Sequence, residues 1–407
     1  MNVMNSHGPI HRQRRRRPLC RNPFYLQELG LAQPGSFQKR FLSSRLLSIV
    51  LDPTTSVSRE HAGAVNTVDI EEAEGRYLLS GGGDGNIHLY DLDVSEREER
   101  RVIHSMADAH GSYGAHKGGI SRVRWYPFDN GMFTSSSFDS SIKVWDTNTM
   151  EVACTFDLNN KVYSHAMSSK ATHGLIAAAS ADPRIRLCDL RTGAFTHSLA
   201  GHRGTVLTIE WSPRHEYLLA SGSTDTTIRL WDIRKSTSCL CSLDLHNSNS
   251  PPLAETNSAH TRTVNGLNFT PDGLHLISVG HDDKMRLWNI YTGQNTLTNY
   301  GTLMRNQFVN NLTPLISPLS VFGGSPSYVF QPSDDRSILM FDLLDGSLVK
   351  RLKGSYGRVI ALAWRPRTQE IYSAGNDHDI LVWAPKSSNQ DTAIRAIADQ
   401  DTWSDSD

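Results

Sequence analysis

Short runs of alternating apolar and polar residues, each closed by Gly, Ser, Asp or Pro, fill this chain from about residue 45 to about residue 385. The clearest block reads GHRGTVLTIEWSP, then YLLASGSTD, then TIRLWDIR. In its first run Val206, Thr208 and Glu210 alternate with Leu207, Ile209 and Trp211. Period two sends successive side chains to opposite faces, so the run predicts a strand. The next two runs are β-branched or apolar stretches bounded by turn residues, and SCLCSLDL after them predicts a fourth strand. No stretch of helical periodicity interrupts this pattern, so the region reads as all-β.

A ruler organises the runs. Seven times an Asp is followed six residues later by the end of an apolar run: Asp84/Tyr90, Asp139/Trp145, Asp182/Cys188, Asp225/Trp231, Asp282/Trp288, Asp335/Phe341 and Asp377/Trp383. Successive marks lie 42 to 57 residues apart, near the ~40–45 of WD-type repeats with surplus in loops. Seven copies in phase predict a seven-bladed WD-repeat β-propeller over residues 45–385, which uses most of the 407 residues. A ring that ends at Trp383 still needs an outer strand for its last blade. Residues 45–52 (RLLSIVLD) are expected to supply it, latching the ring and removing its open edges.

Each Asp falls in the tight turn between second and third strands, where a carboxylate accepts backbone N–H groups and binds a His at the start of the first strand. The set is His202, Ser221, Asp225 and Trp231 in blade four. The others are His61/Ser80/Asp84, His116/Ser135/Asp139 with Trp145, and His260/Ser278/Asp282 with Trp288. One such set would suggest a hydrolase triad. Four at matching offsets read as buried polar networks that pin each blade. Blade three departs, with Leu158, Ala178 and Cys188 at the His, Ser and Trp positions and His165 inside its first strand. Blade six has Gln331 and Phe341, and blade seven has Ser355 for the His beside Asp377 and Trp383. Strand limits over residues 300–326 are not readable.

Lys plus Arg number 41 against 42 for Asp plus Glu, so no global field draws the chain to a polyanion. That argues against direct DNA binding, leaving a local patch of Lys117, Arg122, Arg184, Arg203, Arg262 and Arg358 as the exception. The five cysteines form no metal-ligand spacing and suggest a reducing compartment. Cys239 and Cys241, alternating in one strand, are expected on one face as packing residues. No cofactor, metal or catalytic residue is expected, since there is no phosphate loop, zinc spacing or unexplained triad. Neither a membrane span nor a signal peptide is legible.

Function is therefore expected on the faces and flanks. Two long loops, Met106–Ala115 and His246–Ala259, join a fourth strand to the next first strand and so flank the Asp turns. Phe138, Arg203, Arg262, Tyr356 and Arg358 share that face as candidate partner contacts. On the opposite face CDLR and WDIR place Asp189 with Arg191 and Asp232 with Arg234 at the turns leaving the third strands. Residues 22–44 carry Phe24, Tyr25, Leu26 and Leu29 in a predicted short helix–loop–helix. Two readings stand for it: packing on its own propeller, or an apolar helix offered to a partner's groove. Residues 1–21 hold the basic run HRQRRRR, a solvated arm or a nuclear-import signal, and residues 386–407 form an acidic tail with one Trp403.

The stretches HAGAVNTVDIEEAEGRYLLSGGGDG, WYPFDNGMFTSSSFDSSIKVWDTNTM, LAGHRGTVLTIEWSPRHEYLLASGSTD, VNGLNFTPDGLHLISVGHDDKMRLWN and the closing TWSDSD closely resemble the Cockayne syndrome group A family. The likeness runs from about Phe24 to Trp403, and the first twenty or so residues look like an extension. It implies a nuclear, non-enzymatic substrate receptor of a cullin-4 RING ubiquitin ligase in transcription-coupled nucleotide-excision repair. The implied partners are damage-specific DNA-binding protein 1 as adaptor, the Cockayne syndrome group B ATPase, the UV-stimulated scaffold protein and stalled RNA polymerase II. It further implies adaptor contacts at Phe24, Tyr25, Leu26 and Leu29, with Asp189, Arg191, Asp232 and Arg234 in support. The competing class is a signalling scaffold of the G-protein-β type, which would carry a coiled-coil heptad run that is not present here.

Overall fold

A computed structural model describes residues 43–93, 101–109, 115–170, 172–235, 239–248, 251, 257–308, 311–317 and 327–386. They form seven four-stranded antiparallel sheets arranged as a closed β-propeller. Blade four is typical: Val206–Trp211, Leu218–Ser223, Ile228–Asp232 and Cys239–Ser242 pair in sequence order. Its innermost strand is buried along its whole length because it is flanked by neighbouring blades on both sides. Apolar side chains of adjacent blades meet in seven clusters, one at each interface round the ring. The core is thus a ring of seams, and each seam depends on both its blades.

Closure follows the expected plan with shorter bounds. Ile49–Leu51 pairs with Ile380–Pro385 and completes blade seven beside Glu370–Gly375 and Val359–Arg365. Residues 43–47, partly expected to be strand, are helical. Arg45 explains the difference, since its guanidinium donates to Gln369 Oε1 at 2.8 Å and to the Thr368 carbonyl at 3.2 Å. Leu46 and Ile49 then enter the seam between blades six and seven. From blade six, Lys350 Nζ donates to the carbonyls of Leu47 and Ile49. On the other side of blade seven the buried Arg365 donates to the carbonyls of Gly75 and Leu92 and pairs with Asp93, all in blade one.

Three further expectations change. Met106–Asp108 is not loop: Ser105–Asp108 is the fourth strand of blade one, displaced along the chain by an inserted strand, Arg101–Ile103. That insert pairs in parallel with Thr55–Val57, and Ile103 and Val57 pack into the closing seam. Cys239 and Cys241 do not share a face. A bulge opposite Leu230/Trp231 turns Cys239 toward the blade-three seam and Cys241 toward the blade-five seam. Finally, the irregular stretch after blade five contributes Tyr300 and Met304 to the core and yields Leu315–Ile316 as the short innermost strand of blade six.

Candidate protein-interaction faces

The four polar networks form as their spacing implies. In blade four His202 Nδ1 lies 2.9 Å from Asp225 Oδ2, His202 Nε2 lies 2.7 Å from Ser221 Oγ, and Trp231 Nε1 donates to the same oxygen at 2.8 Å. Blades two and five repeat this through His116, Ser135, Asp139 and Trp145 and through His260, Ser278, Asp282 and Trp288. Blade one has His61, Ser80 and Asp84, with the His–Asp contact longer at 3.3 Å. Donor bookkeeping fixes a direction: indole N–H to Ser oxygen, Ser O–H to His Nε2, His Nδ1–H to carboxylate. That chain requires neutral imidazole and ionised Asp. Accordingly, burial pushes His116, His202 and His260 down and His61 to about 4. Hydrogen bonds and the facing His hold Asp84, Asp139, Asp225 and Asp282 below the ordinary carboxylate value against the opposing effect of burial. Every polar atom in the chain has its partner, and in blades two, four and five the Ser hydroxyl lies buried between the indole donor and the imidazole acceptor rather than facing a cleft. These are braces. In blade seven, Trp383 Nε1 bonds Ser373 Oγ and Asp377 accepts the Gly357 N–H, without a His.

Braced turns place side chains on the Asp-turn face. Asp225 accepts the Arg203 N–H at 2.9 Å, and Asp282 receives that of Thr261, beside Arg262. Arg203 and Arg262 are exposed. Tyr356 stands 86% exposed and Phe138 39%, the latter edge-on to Tyr163. Arg358 differs from its expected role. Its guanidinium lies 4.1 Å over the Phe308 ring, 3.7 Å from Asp334, and is mostly covered. Burial draws it below its ordinary value while Asp334 opposes. Phe308, 55% exposed, is the presented group there instead; no sequence signal marks it, because it lies in the unreadable stretch. The proposed cationic patch also loses Arg122, which is buried in the channel wall and paired with Glu210 while donating to Ser164 Oγ at 2.7 Å.

The opposite face carries the turns leaving the third strands. Arg234 forms a two-pronged pair with Asp232 and lies 4.7 Å over the Tyr217 ring. Arg191 does not pair by its side chain with Asp189; its backbone N–H bonds that carboxylate, and its guanidinium donates to the Thr172 carbonyl at 3.1 Å. Helical residues 43–47 enter the fold beside Thr368, at the first turn of blade seven, and so on this same face. Phe24, Tyr25, Leu26 and Leu29 lie outside the described residues. Among the described residues no helix is long and apolar enough to cross a membrane, and no three His, Cys, Asp or Glu side chains gather as metal ligands.

The WD domain, G-beta repeat family matches residues 53–91, 109–146, 193–232, 252–289 and 346–384. These segments contain the Asp turns of blades one, two, four, five and seven and omit those of blades three and six. WD repeat-containing protein ATCSA-1 of Arabidopsis thaliana is 32% identical, over 93% of this chain and 98% of that protein. Radiation-sensitive protein 28 of Saccharomyces cerevisiae is 28% identical over 46% of this chain and 41% of its own length. Nuclear distribution protein PAC1 of Arthroderma benhamiae is 26% identical, over 86% of this chain and 74% of its own.

Proposed function

The chain belongs to the Cockayne syndrome group A family of WD-repeat proteins, the family of ATCSA-1, and from that premise we propose that it is the substrate-recognition subunit of a nuclear cullin-4 RING ubiquitin ligase acting in transcription-coupled nucleotide-excision repair. The similarity to ATCSA-1 along nearly the whole of both chains carries this reading. Such a subunit makes and breaks no bonds. It holds a target near the ubiquitin-loaded enzyme, so its contribution is proximity and orientation.

The two faces suit the division of labour. Damage-specific DNA-binding protein 1 is assigned to the face of Arg191 and Arg234, on which residues 43–47 also lie, with Phe24, Tyr25, Leu26 and Leu29 as its further contacts. The Cockayne syndrome group B ATPase, the UV-stimulated scaffold protein and the stalled RNA polymerase II assembly are assigned to the Asp-turn face with Phe138, Arg203, Arg262 and Tyr356. Replacing Leu26 and Leu29 with Asp is expected to abolish adaptor co-purification, because two carboxylates would be desolvated in an apolar groove. Arg203→Glu with Tyr356→Ser is expected to weaken recruitment of the repair partners while the adaptor stays bound. A tagged pull-down from nuclear extract reads both. Recovery of a G-protein-like assembly without cullin-4, or joint loss of both bindings in a protein that melts normally, would overturn the reading.

A further inference from the structure

We propose that the acidic tail of this chain folds back on its own propeller and seats Trp403 in a groove between blades two and three. The groove, about 660 Å³, opens on the face of Arg191. Tyr126, Phe128, Met132 and Leu190 line it, and among the described residues its only Lys, Arg, Asp or Glu are Lys170 and Arg191. Phe128 is 54% exposed and stands edge-on to Tyr126 at 5.5 Å, leaving an uncovered aromatic wall. Arg191 is already oriented by the Thr172 carbonyl. An aromatic side chain flanked by carboxylates fits such a site, since a ring fills the apolar slot and the acids meet the two cations.

The chain carries one such segment beyond its last described residue. Over residues 387–407 there is a single aromatic, Trp403, with Asp401 two residues before it and Asp405 two residues after. In extended backbone, residues two apart share a side, so both acids can flank the ring that enters the groove. Geometry permits the return. Lys386 donates its N–H to the Ser48 carbonyl at the end of blade seven that faces the same side as the groove. Seventeen residues then lead to Trp403, a reach of roughly 55 Å when extended. A domain of this size has a radius of gyration of only about 20 Å. Tethering also supplies an effective concentration that a separate peptide lacks.

The groove contains its own reporter, because Cys154 lines it and its thiol is free. The experiment is N-ethylmaleimide alkylation of the purified full chain, read cysteine by cysteine by peptide mass spectrometry. Cys239, in the outer strand of blade four, serves as internal control. Trp403→Ala is expected to raise the Cys154 rate roughly tenfold, an anchor-sized loss of about 1.4 kcal/mol, without moving Cys239. Lys170→Glu is expected to raise it less, and Asp401→Lys in the same chain to restore protection. An unchanged Cys154 rate in Trp403→Ala overturns the proposal. So does protection that grows with protein concentration, which would mean the tail of a second copy. Protection present only after nuclear extract is added also overturns it, because it would mean a foreign occupant. No adaptor is present in this assay, so its outcome is independent of the ligase reading.

Discussion

Blades four and three are neighbours on the same strand plan, yet they are held differently. In blade four a directed chain of hydrogen bonds runs from Trp231 through Ser221 and His202 to Asp225. In blade three Leu158, Ala178 and Cys188 occupy the corresponding positions and pack with Ile142, Val144, Phe156 and Ile176 in one buried apolar cluster. The His, Ser and Trp have been replaced together, leaving no His without its Ser and no indole without its acceptor, while Asp182 is kept and accepts the Arg184 N–H of its own turn at 2.9 Å. That is the physically permitted route. Losing one partner strands a buried polar group at a cost of about 1–3 kcal/mol, whereas replacing both by apolar groups of similar shape is nearly neutral. Blade three keeps its polar groups elsewhere: His165 faces blade two and bonds Thr134 at 2.8 Å and Ser136 at 2.9 Å.

The largest effect that tests this contrast is removal of the aromatic mark. Trp231→Ala is expected to cost about 3–5 kcal/mol, from lost burial and from the cavity left behind. Cys188→Ala, in the apolar blade, is expected to cost roughly 1 kcal/mol, since only one small group leaves. Trp383→Ala should match Trp231→Ala in size and open the latched blade first, because its cluster includes the short N-terminal strand. Denaturant melts, with hydrogen exchange to locate the opening, check all three.

Acid comes next. Neutral His is the folded form, and the unfolded imidazole charges near 6.5, so the brace contributes fully above that pH. For His61 the contribution is lost as pH falls from about 6.5 toward about 4. The depressed Asp84, Asp139, Asp225 and Asp282 keep theirs above the ordinary value of 3.8 and lose it below. Stability is therefore expected to be flat near neutrality and to fall in two stages. Hydrogen exchange from pH 7 to pH 5 sharpens the comparison. The Asp turns of blades one, two, four and five should loosen first, whereas blade three should loosen at Val162–Met167, where His165, held well below its ordinary value by burial, must charge.

Asp225→Ala follows at about 1–3 kcal/mol, since it orphans the His202 N–H and the Arg203 and Thr227 backbone donors. Asp189→Ala should cost less, because its partners sit at an exposed turn. Equal melting shifts for the two would contradict the account of the networks.

What was legible in the sequence was local or periodic. The six-residue step from Asp to the end of the apolar run is one turn plus one strand, so it survives in every blade, including blade three, where Cys188 ends it. What was not legible depended on distant partners. The helical form of residues 45–47 goes with Arg45 reaching Gln369, far along the chain in the blade that the N-terminal strand completes. Arg122 looked like a surface cation until Glu210, two blades away, paired with it. The opposed faces of Cys239 and Cys241 come from a bulge facing Leu230/Trp231, which the cysteine run itself does not encode. The same register shift recurs just before the mark in blades one, two, three and six, so the repeat, read as a set, carries the signal that a single strand lacks. Of the candidate faces, the exposed Tyr356 and Arg203 followed from turn position, whereas the burial of Arg358 required Phe308, contributed by a stretch without readable periodicity.

The smallest stability effects are expected at the two Asp–Arg turns, and that makes them the cleanest probes of function. Arg234 braces its own turn through Asp232 and Tyr217, yet its side chain is 63% exposed. Arg191 bonds only one backbone carbonyl by its side chain among the described contacts. Both guanidinium groups face solvent, where water and salt screen their contacts, so these contribute little to folding. Arg234→Ala and Arg191→Ala should therefore melt like the parent chain. If this face docks the adaptor, each should nevertheless lower adaptor co-purification, with Arg234→Lys restoring little, because a point charge cannot reproduce the planar fork on Asp232 and the ring of Tyr217. A loss of adaptor binding that tracks a fall in melting temperature would instead return these residues to a purely structural role. Unchanged binding in both variants would remove them from the docking surface.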